Sequence, residues 1–232
     1  MSGNDLAMSE VVFGGAQVRT ASDGFLEIRM ADASLLRLAP DKEIDVLGVG
    51  SLSLRRGKVY VDSKRSGRSL SVHTPLGVAS DIGTQFLVAL DHKQLVVGVR
   101  EGRVRLQREH DSLDVQASAD GAGEQVTVSA DGTDRKPLAA NDPSWEWTLD
   151  ATHPFQLDGA RVHELVAWVA RQNGLSYRYA SEAVAQQANM RMLSGGPVAL
   201  RADVEAVIDL LNVTTNFSLR RAGNVIEVAF AR

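Results

Sequence analysis

Apolar and polar side chains alternate over short runs along residues 1–140, and glycine, aspartate and serine separate the runs. Alternation places the apolar side chains on one face of a strand, as a sheet with one buried face requires. The turn signals recur about every 8–12 residues, a spacing typical of β-sandwiches, barrels and solenoids. This part of the chain is therefore predicted to be all β. The predicted strands are Leu26–Met30, Leu36–Leu38, Leu52–Leu54, Val59–Val61, Phe86–Leu90, Leu95–Val99, Val104–Leu106 and Val126–Val128.

Three glycines, Gly15, Gly57 and Gly102, each come shortly before an alternating run. A recurring glycine-led strand favours wound, solenoid-like β units. Glycine-led hairpins are also common in other all-β domains, so a two-sheet sandwich is the alternative. We predict an elongated all-β domain of one of these two kinds.

The pattern changes to mixed α and β in the last third of the chain. Apolar residues at helical spacing predict an amphipathic helix over Val162–Gln172, and Asn173 and Gly174 end it. Asp203 is positioned to cap a second helix with its own apolar stripe. With the intervening strands, these helices form a small α+β domain. The predicted strands are Phe155–Leu157, Leu175–Tyr179, Met190–Leu193, Phe217–Arg220 and Val225–Val228, the last two joined by a turn at Gly223 and Asn224.

These patterns divide the chain into a tag or linker at residues 1–10, a β domain at 11–132, a linker and junction at 133–150, and an α+β domain at 151–232. The junction is rich in small and polar residues and contains two prolines. Trp145 and Trp147 are two residues apart, so they would share one face of a strand. We expect them to pack at the domain junction. Stacking of a ligand is the alternative.

Composition and charge exclude several classes of protein. Of the 232 residues, 44% are hydrophobic and 23% are charged, which is ordinary for a globular protein. The absence of cysteine excludes a disulfide framework, a thiolate metal site and a cysteine nucleophile. The net charge of −4 argues against a nucleic-acid partner. The sequence shows neither an apolar run of about 18 residues nor a signal-peptide pattern.

No pattern of residues indicates an enzyme, a metal site or a bound cofactor. The sequence contains no Gly-x-Ser-x-Gly nucleophile motif and no phosphate-binding glycine loop at the start of a helix. Two histidines four residues apart on one helix would suggest a metal site, but the histidines lack such spacing. They are His73, His92, His110, His153 and His163.

Several motifs of the β domain, taken in their order and spacing, resemble the periplasmic domain of FecR-type sigma regulators over residues 12–130. The motifs are Arg29–Leu38, Leu54–Asp62, Val72–Gly77, Asp81–Phe86, Arg100–Val104 and Gly123–Val126. Ala33 stands where that family usually has glycine. A hairpin with a left-handed residue at this position would be strained.

The α+β domain resembles the small N-terminal signalling domain of secretins and TonB-dependent transducers, called the STN domain. The resemblance implies two βαβ units, and most of the matching positions are core residues. They are Phe155–Leu157, Val162–Gln172, Gly174, Leu175, Leu200 and Asp203–Leu211.

The two resemblances together imply the periplasmic part of a single-pass inner-membrane regulator. Such a protein binds the signalling domain of an outer-membrane TonB-dependent receptor and relays siderophore or metal-uptake signals to a sigma factor. The cytoplasmic region that contacts the sigma factor and the membrane helix would precede Met1. The chain itself is then expected to be a soluble fragment of a membrane-anchored protein.

Some relatives of this type cleave themselves at a Gly-Thr pair through an N–O acyl shift, and the resemblance places that pair at Gly83 and Thr84. A strained turn would press the threonine hydroxyl onto the preceding carbonyl, and water would open the resulting ester. The alternative is structural. Gly83 would then supply a tight turn, and Thr84 would begin the strand that follows.

The α+β domain is expected to bind the partner through an unpaired sheet edge, since edge strands accept further strands. Contact through an apolar face of the β domain is the alternative. A third class of function is a scaffold or glycan-binding module, but an aromatic content of 5% is low for a glycan site. The residues expected to contact the partner lie on two of the predicted strands. They are Met190, Met192, Leu193, Phe217, Leu219 and Arg220.

Overall fold

The computed structural model describes residues 12–231 apart from positions 32, 64–68, 82, 92, 119–120 and 195–198. The tag or linker predicted at residues 1–10 lies outside the described residues. The chain forms two compact units, Met1–Pro137 and Leu138–Arg232. Among the described residues, no helix combines the length and the apolar character that a membrane crossing needs.

The first unit is all β among its described residues, as the alternation of side chains predicts. Its strands are β1 (Gln17–Arg19), β2 (Leu26–Arg29), β3 (Leu35–Leu38), β4 (Glu43–Gly48), β5 (Ser51–Asp62), β6 (Ser71–Thr74), β7 (Gly77–Asp81), β8 (Gln85–Leu90), β9 (Gln94–Glu101), β10 (Arg103–Gln107), β11 (Ser112–Gln116), β12 (Gly123–Ser129) and β13 (Gly132–Leu138).

These strands form one curled 13-stranded sheet whose two arms share β5. The first arm has the order β1-β4-β5-β6-β7-β10-β11, and the second has the order β2-β3-β5-β8-β9-β12-β13. β5 runs parallel to β6, whereas its other neighbours β3, β4 and β8 are antiparallel to it. Apolar side chains of both arms form one buried core. The all-β class predicted from the sequence is thus confirmed, in the form of one curled sheet whose two arms enclose a common core.

β5 is 12 residues long, and its neighbours change at its middle. Residues 51–56 pair with β4 and β6, and residues 57–62 pair with β3 and β8. Gly57 lies at the change and has a φ of 103°, which side chains rarely adopt. The prediction of two strands, Leu52–Leu54 and Val59–Val61, is therefore wrong. Gly57 does not lead a new strand; it redirects one long strand from the first arm into the second.

The hairpin between β2 and β3 contains the strained residue that the sequence indicates. Ala33 has a φ of 66°, in the left-handed region. The turn is closed by hydrogen bonds from Ala33 N to Met30 O (2.9 Å) and from Met30 N to Ser34 O (2.8 Å). Alanine in this conformation costs about 1 kcal/mol relative to glycine.

The β unit extends into the segment predicted as a linker. β13 ends the second arm of the sheet, and all of its residues except Leu138 are exposed. Asp134, Arg135, Lys136 and Pro137 follow one another in this strand. Charges and proline are typical of edge strands because they discourage further pairing, and they also make the segment look like a linker.

The second unit mixes helices with short strands, as predicted. After a 3-10 turn at Pro143–Trp145, its elements are α1 (Trp147–Asp150), β14 (Phe155–Gln156), α2 (Val162–Gln172), β15 (Ser176–Tyr179), α3 (Glu182–Met190), β16 (Ala199–Leu200), α4 (Val204–Thr214), β17 (Phe217–Ala222) and β18 (Val225–Phe230).

β15, β18 and β17 form a sheet in that order, with β15 parallel and β17 antiparallel to the central strand β18. β14 and β16 form a separate antiparallel pair. The apolar stripes of α2 and α4 are buried in a core shared with the inner faces of β17 and β18. The predicted helix Val162–Gln172 has the observed bounds, and Asp203 caps α4 by accepting a hydrogen bond from Ala206 N at 3.0 Å.

The strand predicted at Met190–Leu193 is wrong. Ser181 caps α3 by accepting a hydrogen bond from Val184 N, and the helix continues to Met190. Met192 forms only an isolated bridge with Arg161. Alanines at three positions of α3 favour a helix, whereas the apolar residues at its end resemble a strand when taken alone.

Trp145 and Trp147 also lie in helical turns rather than on one strand. Asp142 caps the 3-10 turn through Ser144 N at 2.9 Å, and Pro143 occupies its first position. Trp145 is buried, and its indole donates a hydrogen bond to Ala139 O at 3.0 Å. Trp147 begins α1 and is half-buried.

Candidate functional site

The Gly-Thr pair singled out by the sequence lies where three strands of the β unit end. Thr84 directly precedes β8, Ser63 directly follows β5, and Asp81 is the last residue of β7. β5 and β8 are antiparallel, with Asp62 opposite Gln85, so the same register places Ser63 opposite Thr84. Ser63 N accordingly donates a hydrogen bond to Thr84 O at 2.9 Å.

Asp81 joins the two hydroxyl groups. Its Oδ2 atom accepts a hydrogen bond from Thr84 Oγ1 at 2.7 Å and another from Ser63 Oγ. Thr84 N donates to Ser63 Oγ at 2.7 Å and lies 3.2 Å from Asp81 Oδ2. The other carboxylate oxygen, Oδ1, accepts from Leu70 N at 2.8 Å. Thr84 and Asp81 are 0% exposed and Ser63 is 2% exposed, so this Asp-Ser-Thr cluster is closed to bulk water.

Two glycines shape the backbone at this cluster. Gly83 has a φ of 71°, which fits the tight turn expected before Thr84. Gly102 has a φ of 80° and lies against the pair. A Cβ atom on Gly102 would be 2.6 Å from Thr84 Cγ2 and 3.0 Å from Gly83 O. The Gly-Thr pair is therefore held on one side by β5 and on the other by the turn between β9 and β10.

Further buried polar side chains lie near the cluster, on β5 and on the strands β3, β8 and β9. Gln85 Nε2 donates to Asp62 Oδ2 at 3.1 Å. Arg100 is buried near Tyr60, and this burial lowers the pKa of its guanidinium. Arg37, which is fully buried, lies over the Tyr60 ring with its guanidinium carbon 5.3 Å from the ring centroid, and it pairs with Glu27 at 2.8 Å. These contacts are those of a structural network that fixes β3, β5, β8 and β9 together.

The family resemblance points to Gly83 and Thr84 but assigns no role to Ser63 or Asp81. Asp81 precedes Thr84 by three residues, and its carboxylate accepts hydrogen bonds from Thr84 N and Oγ1 across the turn at Gly83. Ser63 is 21 residues from Thr84, and its contact depends on strand register. No local signal in the sequence could have indicated it.

In the second unit, one predicted edge is already occupied. Leu219 N donates to Asn212 Oδ1 at 2.6 Å, and Asn212 Nδ2 donates to Leu219 O at 3.0 Å. The side-chain amide of α4 thus pairs with β17 as another strand would. Phe217 N donates to Thr215 Oγ1 at 3.2 Å. On the outer edge of β17, the N–H of Phe217 and both backbone groups of Leu219 are therefore hydrogen-bonded within the fold itself.

The opposite edge of the same sheet has no such cover among the described residues. Ser176 N and Ala180 N donate to Asn224 O and Val228 O on the β18 side, both at 2.9 Å. Because alternate residues of a strand point their backbone groups to opposite sides, those of Tyr177 and Tyr179 point outward. Within the described part of the chain, β15 has no strand on that side.

The two tyrosines of β15 form an aromatic group with His163 of α2. The Tyr179 hydroxyl is 2.9 Å from His163 Nδ1, and the rings of Tyr177 and Tyr179 meet edge to face at 5.8 Å. Burial, with the neighbouring Tyr177, raises the pKa of Tyr179 to about 12. The hydroxyl is therefore a neutral hydrogen-bonding group at every physiological pH.

The residues expected to contact a partner are separated by the fold. Met190 and Met192 are 68% and 62% exposed, at the end of α3 and just after it. Leu193, Phe217 and Leu219 are buried in the core of the second unit. Arg220 is exposed on β17 and pairs with Glu227, which also pairs with Arg178.

Among the described residues, no group of three or more histidine, aspartate or glutamate side chains could hold a metal ion. The cluster at Thr84 is instead a set of hydroxyl, carboxylate and backbone groups around one peptide bond. The geometry defines the first unit as an all-β module with a closed polar cluster.

The comparison with protein families agrees with the motifs from Arg29 to Val104 and does not extend to Gly123–Val126. Residues 16–105 match the family model described as FecR protein. The matched segment runs from β1 into β10 and includes Ser63, Asp81 and Thr84. Over this segment the chain is similar to the FecR family. A search of curated proteins finds no match to the chain.

Two crystal structures of a candidate anti-sigma factor from Parabacteroides distasonis ATCC 8503 are similar to the chain. Both are 13% identical in sequence, with TM-scores of 0.49 and 0.48. Each alignment covers 94% of this chain, and 100% and 99% of the respective solved chain. At this identity and TM-score, the two structures carry no function over to this chain.

Proposed function

We propose that the chain is the periplasmic signalling part of a FecR-type sigma regulator anchored in the inner membrane. It would bind the N-terminal signalling domain of an outer-membrane TonB-dependent transducer and relay siderophore or metal-uptake signals to a sigma factor. The observation that carries this proposal is the FecR match over residues 16–105. The sigma factor would be reached through a cytoplasmic region that is not in this sequence.

The proposal assigns partner binding to the α+β domain at residues 151–232, which we take to be STN-like. Two βα pairs lead into the sheet of this unit, β14 with α2 and β16 with α4. A partner strand can pair with an unpaired edge through backbone hydrogen bonds. Since Asn212 and Thr215 occupy the edge of β17, the outward groups of Tyr177 and Tyr179 on β15 are the better place. Met190 and Met192 offer exposed apolar contacts in the same unit.

Binding is tested by measuring the affinity of transducer signalling domains for the whole chain and for truncated forms. We expect deletion of residues 151–232 to abolish binding, because the proposed edge is lost. The matched variant is Tyr177→Pro, which removes one outward N–H of β15 and prevents strand pairing there. Binding retained by residues 1–142 alone would show that the β domain carries the contact instead. Circular dichroism of each form establishes that it is folded.

A second candidate function, self-cleavage between Gly83 and Thr84, is favoured by the contact of Thr84 Oγ1 with Asp81 Oδ2 at 2.7 Å. Asp81 would take the hydroxyl proton while Thr84 Oγ1 bonds to the Gly83 carbonyl carbon. The carbon–nitrogen bond then breaks, and the acyl group passes to oxygen as an ester. Water hydrolyses the ester, leaving a carboxylate at Gly83 and a free amine at Thr84.

Cleavage is tested by incubating the purified chain and following its fragments by denaturing gel and intact mass. Thr84→Ala removes the nucleophile, so we expect no cleavage. Thr84→Ser keeps the hydroxyl and should be cleaved. Asp81→Asn removes the base and should slow cleavage about 100-fold or more, the usual range for acid–base catalysis. If the wild-type chain stays as intact as the Thr84→Ala variant, the role of Gly83 and Thr84 is purely structural.

A further inference from the structure

Ser63 contacts both ends of the proton path that self-cleavage would need. Its Oγ atom is 2.7 Å from Thr84 N, the nitrogen that leaves when the bond breaks. The same oxygen donates a hydrogen bond to Asp81 Oδ2, which accepts the Thr84 hydroxyl at 2.7 Å. Asp81 Oδ2 itself is farther from that nitrogen, at 3.2 Å. Hydrogen bonds therefore link four atoms in order from the attacking hydroxyl to the leaving nitrogen. They are Thr84 Oγ1, Asp81 Oδ2, Ser63 Oγ and Thr84 N.

We propose that Ser63 is a catalytic residue of the self-cleavage reaction, the acid that protonates the Thr84 nitrogen as the Gly83–Thr84 bond breaks. This inference rests on the proposed cleavage and adds the group that the leaving nitrogen needs. An amine cannot leave a tetrahedral carbon as an anion, so a proton must reach it in the transition state. Bulk water does not reach Thr84 N, since Ser63 is 2% exposed and its two partners are 0% exposed. Gly83, whose carbonyl carbon water or hydroxylamine attacks in the later ester step, is only half-buried.

The steps balance within the cluster. The Thr84 hydroxyl proton passes to Asp81 Oδ2 as the Oγ1–carbon bond forms at Gly83. After inversion at nitrogen turns its lone pair toward Ser63, the serine hydroxyl gives its proton to Thr84 N and takes the proton held by Asp81. The carbon–nitrogen bond breaks, and the electron pair stays on nitrogen. The result is a Gly83 ester of the Thr84 hydroxyl, a free Thr84 amine, and Asp81 and Ser63 in their starting states.

Strand register keeps the serine oxygen at the nitrogen throughout this path. Ser63 N holds Thr84 O at 2.9 Å, so the backbone of the two residues is paired whichever way the side chain turns. The hydroxyl can therefore exchange its donor contact between Asp81 and the nitrogen without movement of the strands.

The test compares Ser63→Ala with Ser63→Thr, which keeps a hydroxyl, and with Ser71→Ala as the matched control. Ser71 is a half-buried strand serine whose hydroxyl meets Ser80 at 2.9 Å and does not touch Thr84. Cleavage is followed by mass, and the ester is trapped with hydroxylamine as a hydroxamate at Gly83. We expect Ser63→Ala to lose both cleavage and hydroxamate by about 100-fold. Ser63→Thr and Ser71→Ala should keep both.

A measurement on the unmodified chain covers the case in which Ser63→Ala does not fold. In excess hydroxylamine, the rate of hydroxamate formation is measured in mixtures of light and heavy water. A relay through Ser63 moves two protons in one step, so the rate should depend on the deuterium content of the solvent along a curve. A straight line would mean that only one proton moves, and it would contradict the relay.

Two further outcomes would overturn the role of Ser63 while leaving cleavage intact. One is a cleavage rate of Ser63→Ala equal to that of the wild-type chain. The other is accumulation of the ester in Ser63→Ala, which would mean that the serine acts in ester hydrolysis. A wild-type chain that forms neither fragments nor hydroxamate would overturn the cleavage proposal and the serine role together.

Discussion

At the scale of single residues, the surroundings of a glycine decide how much its replacement costs. Gly174 and Gly223 have φ values of 63° and 60°, so both need the left-handed conformation to the same extent. A Cβ atom on Gly174 would lie 1.9 Å from the backbone oxygen of Ala140, whereas nothing lies within 4 Å of one on Gly223. The sequence predicts both turns but not this difference, because residue 140 is far from residue 174 along the chain.

We expect Gly223→Ala to lower the free energy of unfolding by about 1 kcal/mol through backbone strain alone. Gly174→Ala should lose about 1–3 kcal/mol more, since a backbone atom must move to admit the methyl group. Urea unfolding followed by tryptophan fluorescence measures this, because Trp145, Trp147 and Trp168 all lie in the second unit. Equal losses in the two variants would mean that the contact with Ala140 is unimportant.

At the scale of elements, a helix side chain completes the sheet of the second unit. Asn212 of α4 bonds both backbone groups of Leu219, which otherwise would have no strand beside them among the described residues. A side-chain amide carries the same donor and acceptor as a peptide group, so it can replace one step of a strand. This leaves the edge of β17 satisfied and directs the proposed partner contact to β15.

We expect Asn212→Ala to destabilise the second unit by about 1–3 kcal/mol, since two backbone groups lose their partners. Asn189→Ala is the matched control, because Asn189 is exposed on α3 and its amide donates to Ala185 O within its own helix. The control should change stability little or raise it slightly, alanine being the better helix former. Urea unfolding followed by tryptophan fluorescence compares the free energies of unfolding of the two variants. A loss in Asn212→Ala as small as that in the control would show that water satisfies the backbone groups of Leu219.

Elements could be predicted where their pattern is local and complete. The stripe of α2 and the cap of α4 lie within about a dozen residues, and both predictions are confirmed. The end of α3 suggests a strand because Met190, Met192 and Leu193 are apolar, whereas the cap at Ser181 indicates the helix. The sequence of β13 is like that of a linker because an exposed edge strand has no apolar face to alternate.

At the scale of the whole molecule, the Gly83–Thr84 bond lies between strands that stay paired across it. β5 precedes the bond and β8 follows it, and the two are antiparallel neighbours over residues 57–62 and 85–90. β7 and β10 form a second pairing across the same bond. The core of the β unit takes residues from both sides. A break here would cut the chain without removing a strand from the sheet.

We therefore expect the two fragments of a cleaved chain to remain together under native conditions. They should elute from a size-exclusion column as one species at the volume of the uncleaved Thr84→Ala variant, and as two species in denaturant. Separate elution without denaturant would contradict this, since it would mean that the two pairings cannot hold the halves together. A denaturing gel of the native peak shows that cleavage has occurred.

The sequence by itself determines most of the elements and the all-β class of the first unit. Side-chain alternation, helical stripes, caps and turn glycines act over a few neighbouring residues, so they can be recognised without a fold. The FecR-type motifs are of the same kind, and the match over residues 16–105 agrees with them.

Only the tertiary structure decides which distant residues meet. The register of β5 against β8 brings Ser63 to Thr84, and the packing of α4 brings Asn212 to the edge of β17. Gly57 acquires its role only because β5 belongs to both arms of the sheet. The physical reason is common to all three. Contacts between residues that are distant in the chain depend on the cooperative burial of the whole core, and no short stretch of sequence encodes them.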